Sequence, residues 1–412
     1  MRNNIKKQTK NWNNATFLLV LGSLCLFYPY EFSSVYFPFL PLKEYLIAFA
    51  LIFVVCTISF LHFKLIKIEA IQIIFIQIVG FVLVGLAHGK LLPVIDYASK
   101  MLLAGLLLGL ITKTLGLHAF YKKYNRWITI MAILGAITFF LVTFRDYSAF
   151  YAVPDRADGR LIFNYILTFS KSNLWWTDNF RFAGFFDEPG AMAYWGLFAL
   201  IFNKLFVKDN KIEIILVICL LLTFSMGFYV QLMVYILFFF VSKKNIGKSL
   251  FATLVILVMA FVASDTKNTE YDFIYSATYE RFETMSDQAK DFNAQSGTDN
   301  RAVLQERAYN EFVKGPVLGS ANSDSIYLGD NIFEPFARYG ILGSFFIYFP
   351  LFYILYLSYK DRKFDILKAL LIIIIGFFHR PLHMNVLSFF IIYSMLIFTI
   401  QQTKQTKSKV YA

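Results

Sequence analysis

Residues 212–242, IEIILVICLLLTFSMGFYVQLMVYILFFFVS, form an apolar run interrupted only at Ser225-Met226-Gly227. Read as one helix, the run crosses a bilayer once. Read as two, it crosses twice, and every later segment changes sides. The placement of Lys and Arg decides between them, because short cytoplasmic loops of membrane proteins collect these residues. With two spans, the segments 63–69, 114–126, 204–211, 243–248 and 359–368 share one side with both termini, and together they hold most of the 39 Lys and Arg residues. With one span, Lys360, Arg362 and Lys363 would move to the opposite side. Two spans are expected.

The composition agrees with a membrane solvent. Of the 412 residues 58% are hydrophobic and only 16% charged, whereas a soluble chain carries about a quarter charged residues. The 48 Phe residues suit lipid-facing helices. The net charge of +12 would suggest nucleic acid in a soluble protein, but here it sits in short loops and serves orientation, so no nucleic-acid partner is expected. Cys25, Cys56 and Cys219 all fall in apolar runs with no metal or disulfide spacing.

Windows long enough to cross a bilayer lie near 15–32, 44–62, 70–88, 95–113, 127–144, 190–207, 212–226, 227–242, 248–264, 336–358, 364–379 and 384–400. The expected fold is all-α: one transmembrane domain over residues 1–412 with about twelve helices and both termini cytoplasmic. Two long loops, 145–189 and 265–335, then face away from the cytoplasm, and loops of that length are usually functional. Within the second, Asp299 to Lys314 reads as a short amphipathic helix, capped by Asp299 or Asn300. Leu304, Ala308 and Phe312 form its apolar stripe, with Arg307 off it and Arg301 in the first turn.

Chemistry concentrates where these loops meet the spans. RFAGFFDEPG (181–190) sets Arg181 and the adjacent acids Asp187 and Glu188 before Pro189, which suits a first helical turn. Glu188 is either a general base or a helix-capping acid with Arg181 as its partner. GPVLGS (315–320) precedes Asp330-Asn331 at the next span, and Asp330 either caps that helix or takes a proton from a hydroxyl. Guanidinium groups bind phosphate bidentately, so Arg181, Arg301, Arg307 and Arg338 are candidate diphosphate ligands that need no metal. Lys100 either snorkels outward or adds a phosphate contact. Trp175 and Trp176 serve as interfacial anchors or sugar-stacking rings. His379 and His383 flank Arg380-Pro381, where the proline disfavours a metal pair on one helix. No phosphate-cradling Gly-rich loop followed by Lys-Ser/Thr is present, and no cofactor is expected.

On RFAGFFDEPGAMAYW (181–195), LLTFSMGFYV (221–230), NRAVLQERAYNEFVKGPVLGS (300–320) and DNIFEPFARYGILG (330–343), the chain resembles the O-antigen and capsular polysaccharide polymerases, the Wzy-type enzymes, which share a superfamily with O-antigen ligases. The resemblance implies a GT-C-like, metal-independent glycosyltransferase at the outer leaflet of the bacterial inner membrane. Such an enzyme passes a growing glycan from undecaprenyl pyrophosphate to an incoming lipid-linked repeat unit, with inversion. A chain-length regulator and a flippase are the implied protein partners. The family's pyrophosphate-gripping arginines map onto Arg181 and Arg301. Ligases carry His-Asn where this chain has Asp330-Asn331, so the acceptor-activating base is Asp330 or Glu188. The family's usual serine-arginine after the seventh span is Ser225-Met226 here. The alternatives are a ligase moving finished glycan to lipid A or protein, and a flippase or other transporter of lipid-linked oligosaccharide.

Overall fold

The computed structural model describes residues 2–25, 54, 68–145, 147–154, 161–171, 180–186, 188–241, 301–320, 323, 326, 328, 332–379 and 385–410. Among them the elements run α1 (Arg2–Cys25), α2 (Ile68–Ala87), α3 (Leu91–Thr114), α4 (Leu117–Arg145), β1 (Tyr151–Pro154), β2 (Leu161–Asn164), β3 (Phe169–Lys171) and α5 (Pro189–Phe202). They continue with α6 (Asn210–Leu221), α7 (Met226–Phe239), α8 (Arg301–Lys314), α9 (Glu334–Lys360), α10 (Phe364–His379) and α11 (Val386–Val410). Among the described residues, six stretches are long and apolar enough to cross a membrane: Glu69–Ala87, Leu91–Thr114, Leu117–Arg145, Pro189–Val207, Glu334–Lys360 and Val386–Lys404. The chain is a mostly helical membrane protein. The windows expected at 44–62 and 248–264 lie outside the described residues.

The chain forms two compact units. Met1–Tyr28, Leu40–Lys123 and Thr298–Ala412 make the first, and Pro29–Phe39 and Tyr124–Gly297 the second. In the first, α9 packs on α2, α8, α10 and α11, while α3 packs on α1, α2 and α11. Between apolar helices in lipid, association depends on close fit and polar contacts rather than on water exclusion. Gln77, fully buried on α2, supplies such a contact. Its amide N–H reaches the carbonyl of Ile347 on α9 at 2.8 Å, and its oxygen accepts from Tyr393 on α11 at 2.5 Å. Glu69 ties the same three helices again, accepting from Tyr353 at 2.8 Å and from Lys404 at 3.1 Å.

In the second unit, residues 212–242 are two helices rather than one. Asp209 opens α6 by accepting from the amides of Lys211 and Ile212 at 3.0 and 3.3 Å. The helix stops at Leu221, Phe224 takes a left-handed φ of 49°, and α7 starts at Met226. Glu213 near the start of α6 accepts from Tyr235 near the end of α7 at 2.6 Å. Tyr229 donates to the carbonyl of Leu221 at 2.9 Å beside the break. Contacts at both levels make the pair an antiparallel hairpin with its tip at Leu222–Ser225. At 1.5 Å per residue the arms are about 18 and 21 Å long, short of the roughly 30 Å hydrocarbon layer. Both arms pack on α5.

The α5 helix ends in a π turn, Asn203–Val207, closed by Lys208 in the left-handed conformation. Buried Asn203 holds the following turn, donating to the carbonyl of Asp209 at 2.9 Å and accepting its amide at 3.3 Å. The loop before α5 departs from the all-α expectation. There β1, β2 and β3 form an antiparallel three-stranded sheet, pairing Tyr151 with Asn164 and Ile162 with Lys171. Ile162, Phe169 and Ala183 are its buried core.

One glycine in α9 decides how the first unit closes. Gly340 has φ 62° and ψ −168°, so it breaks the helix, and a Cβ there would lie 2.3 Å from the backbone carbonyl of Val317. The variant Gly340→Ala is expected to lose about 3 kcal/mol of stability, from the positive φ and the overlap with main chain that cannot yield. A thermal melt of the detergent-solubilised protein reads this as a large drop in Tm; an unchanged Tm contradicts it.

Candidate functional site

The chain turns from β3 into the 181–186 segment through main-chain pairing. Phe169 donates to Gly184 and Ala183 donates back to Phe169, both at 2.7 Å. Gly184 needs its positive φ of 60°, and a side chain there would press on Met192 and Met131. Phe182 and Phe186 are fully buried, with Phe182 against Gly135 of α4. Arg181 opens this anchored segment and reaches the hairpin tip. Its Nε donates to the carbonyl of Thr223 at 3.0 Å and its Nη2 to the carbonyl of Phe224 at 2.9 Å. Those carbonyls belong to the hairpin tip, where the broken helix no longer supplies amide partners. The guanidinium therefore satisfies carbonyls of the turn between α6 and α7. The two backbone carbonyls orient it.

Glu188 stands at the N-cap of α5 in extended conformation (φ −154°, ψ 162°), and Pro189 takes the first turn as expected. Its carboxylate makes no capping hydrogen bond, while its carbonyl accepts from Ala191 and Met192 at 3.0 and 3.2 Å. Arg181 and Glu188 belong to the same unit. Neighbouring Asp187 lies outside the described residues.

The other candidates belong to the first unit. There GPVLGS is laced to the break in α9. Ile341 donates to Pro316 at 2.8 Å, Leu342 to Val317 at 3.2 Å, and Ser320 to Ala337 at 2.8 Å. The break also frees the carbonyl of Arg338, which accepts from Lys90 Nζ at 2.8 Å. The same ammonium donates to the carbonyl of Ser320 at 3.1 Å and to Ser323 Oγ at 2.7 Å. Lys90 is buried, 6% exposed, so its three donors meet three acceptors without water. Arg338 in turn pairs its Nε with Glu334 at 2.9 Å and donates from Nη1 to the carbonyl of Ser323 at 3.2 Å.

The expected amphipathic helix is α8. Leu304 and Ala308 are buried and Phe312 packs beside Phe336 of α9 at 5.9 Å between ring centroids, while Arg307 is exposed off that stripe. Arg301 begins the helix, but its side chain lies outside the described residues, as do Asp330, Asn331, Asp299, Asn300, Trp175, Trp176 and His383. Lys100 pairs with Asp96 at 2.6 Å and sits over the ring of Tyr97 at 4.9 Å. Among the described residues no group of three or more His, Cys, Asp or Glu side chains could hold a metal ion.

Glu311 is the polar member of the α8 face that packs inward. It accepts from Ser320 at 2.7 Å and pairs with Lys314. The hydrogen bonds from Lys314 and Ser320 pull its carboxyl below the ordinary carboxylate range against the opposing effect of burial. Sequence reading passed over Lys90, Ser320 and Ser323. The one signal was a lone cation between two apolar spans, a costly placement that marks a partner. No protein-family model matches the chain, and no curated protein is significantly similar to it.

Two measurements check this geometry. Lys90→Met removes the ammonium donor from the carbonyls of Ser320 and Arg338 and from the Ser323 hydroxyl, with Ser320 keeping the Ser323 hydroxyl as a donor, and is expected to lower stability by about 2 kcal/mol, read as a drop in Tm in detergent. The second concerns Glu311. A depressed carboxyl contributes stability that is present above its unfolded pKa and lost as pH falls through its folded pKa. Wild-type Tm is therefore expected to fall on acidification through and below the ordinary carboxylate range, and Glu311→Gln to lack that component; parallel curves would refute it.

Proposed function

We propose that the chain is a Wzy-type polymerase that joins undecaprenyl-pyrophosphate-linked repeat units into O-antigen, capsule or exopolysaccharide. In this reading it has twelve spans in the bacterial inner membrane, both termini cytoplasmic, and both long loops outside. The observation that carries the reading is the seat of Arg181. Its guanidinium rests on the carbonyls of Thr223 and Phe224, immediately before Ser225-Met226. That is the step where the resembled family carries serine-arginine. A cation supplied from the preceding loop thus stands where the chain itself offers methionine.

The chemistry follows from that charge. A hydroxyl of the acceptor sugar attacks the anomeric carbon, the bond from that carbon to the pyrophosphate oxygen breaks, and undecaprenyl pyrophosphate leaves with the electron pair. Negative charge grows on the leaving oxygen, and a preorganised guanidinium lowers the cost of that growth. Two carbonyls fix Arg181 before substrate arrives, so little reorganisation is needed. The hydroxyl proton passes to a carboxylate, Glu188 in this unit or Asp330. The resemblance also gives Arg301 a diphosphate-gripping role, whereas Arg307 and Arg338 are candidates read from the sequence.

The test is a glycan ladder from cells complemented with single variants. Arg181→Ala is expected to cut polymerisation about 100-fold or more and leave glycans with one repeat unit. Of Glu188→Gln and Asp330→Asn, the variant lacking the base should give the same pattern with normal protein level in the membrane. Complete absence of attached glycan, with long lipid-linked chains accumulating, would instead indicate a ligase. Unaltered ladders in all three variants would reject the assignment.

A further inference from the structure

The α8 helix carries more apolar surface than α9 covers. Tyr309 and Val313, four residues apart and so on one face, are 48% and 57% exposed. Val317, just past the helix, is exposed as well. Because Pro316 and Val317 accept the amides of Ile341 and Leu342, this stripe is stitched directly to α9, where both of those side chains are also exposed. Exposed apolar residues continue along α9 through Phe345, Phe352 and Tyr356. That helix is long and apolar enough to cross a membrane, so such a row faces acyl chains. Arg307, Asn310 and Lys314 are exposed along the flank of α8 beside this stripe, and Glu306, one turn before Tyr309, is exposed at its start.

From this continuity we infer that α8 is an interfacial helix. Its Tyr309–Val313–Val317 stripe lies in the boundary layer of the bilayer, and its charged flank faces water. The occupant of the stripe is a lipid surface, because the stripe extends the row that α9 already presents to lipid without interruption. An amphipathic helix with a tyrosine at the apolar edge and cations along the flank suits that depth. The seating does work for the fold. Glu311 and Lys90 hold α8 and the 315–320 segment to α9 from within, and lipid holds them from without. The inference stands apart from the glycosyl-transfer reading, since it needs only that α9 crosses a membrane.

Fluorophore depth tests it. Cys25, Cys56 and Cys219 are replaced by alanine, and Val313→Cys or Asn310→Cys carries an environment-sensitive label. The full-length protein is reconstituted into phosphatidylcholine vesicles with plain or brominated acyl chains. The label at 313 is expected to be quenched by the brominated lipid about threefold more than the label at 310, and to be shielded from aqueous iodide. Equal lipid quenching at both positions overturns the inference. So does access of iodide to 313, and so does shielding of 313 from both quenchers, which would mean that protein covers the stripe. Should labelling at 313 disturb folding, Val317→Cys reports the same surface beside α9 and decides the matter by the same criteria.

Discussion

A backbone carbonyl without a donor is expensive inside a membrane protein, and this chain breaks two of its helices there. One break lies at Leu222–Ser225, the other at Gly340. In each case a basic side chain from a distant part of the sequence supplies the missing donor. Arg181 serves the first and Lys90 the second. The arrangement accounts for much else in each unit. The small sheet exists beside the segment that carries Arg181, and the Gly319 and Gly340 conformations exist where the 315–320 segment closes on α9.

The two cations differ in what remains of them. Lys90 spends all three donors on protein acceptors and is sealed from solvent, so it is a structural pin. Arg181 donates to two backbone carbonyls of the hairpin tip, Thr223 and Phe224. Arg338, by contrast, is ion-paired with Glu334 on its own helix.

The sequence revealed the helices well and their partners poorly. Apolar runs need no long-range information, so the windows at 70–88, 95–113, 127–144, 190–207, 336–358, 364–379 and 384–400 each meet a helix within a few residues, or ten at most. The strands escaped because they are three or four residues long, too short for an alternation to register. The partners of Arg181 escaped for a different reason. They are carbonyls, which every residue has, some forty positions away, and no side-chain pattern marks them. The ion pair of Lys100 with Asp96, one turn earlier, was likewise not anticipated. An i, i+4 acid was the available clue.

The π turn at the end of α5 has its own consequence. Such a turn holds one residue more than the α-helix would place over the same path. Residues 203–207 therefore store slack of a single position. Shortening the chain by one there would restore ordinary helical winding while keeping both flanks in phase, whereas a loss elsewhere in α5 would swing every later side chain by about 100°. Geometry thus makes that turn the place where α5 best tolerates the loss of a residue.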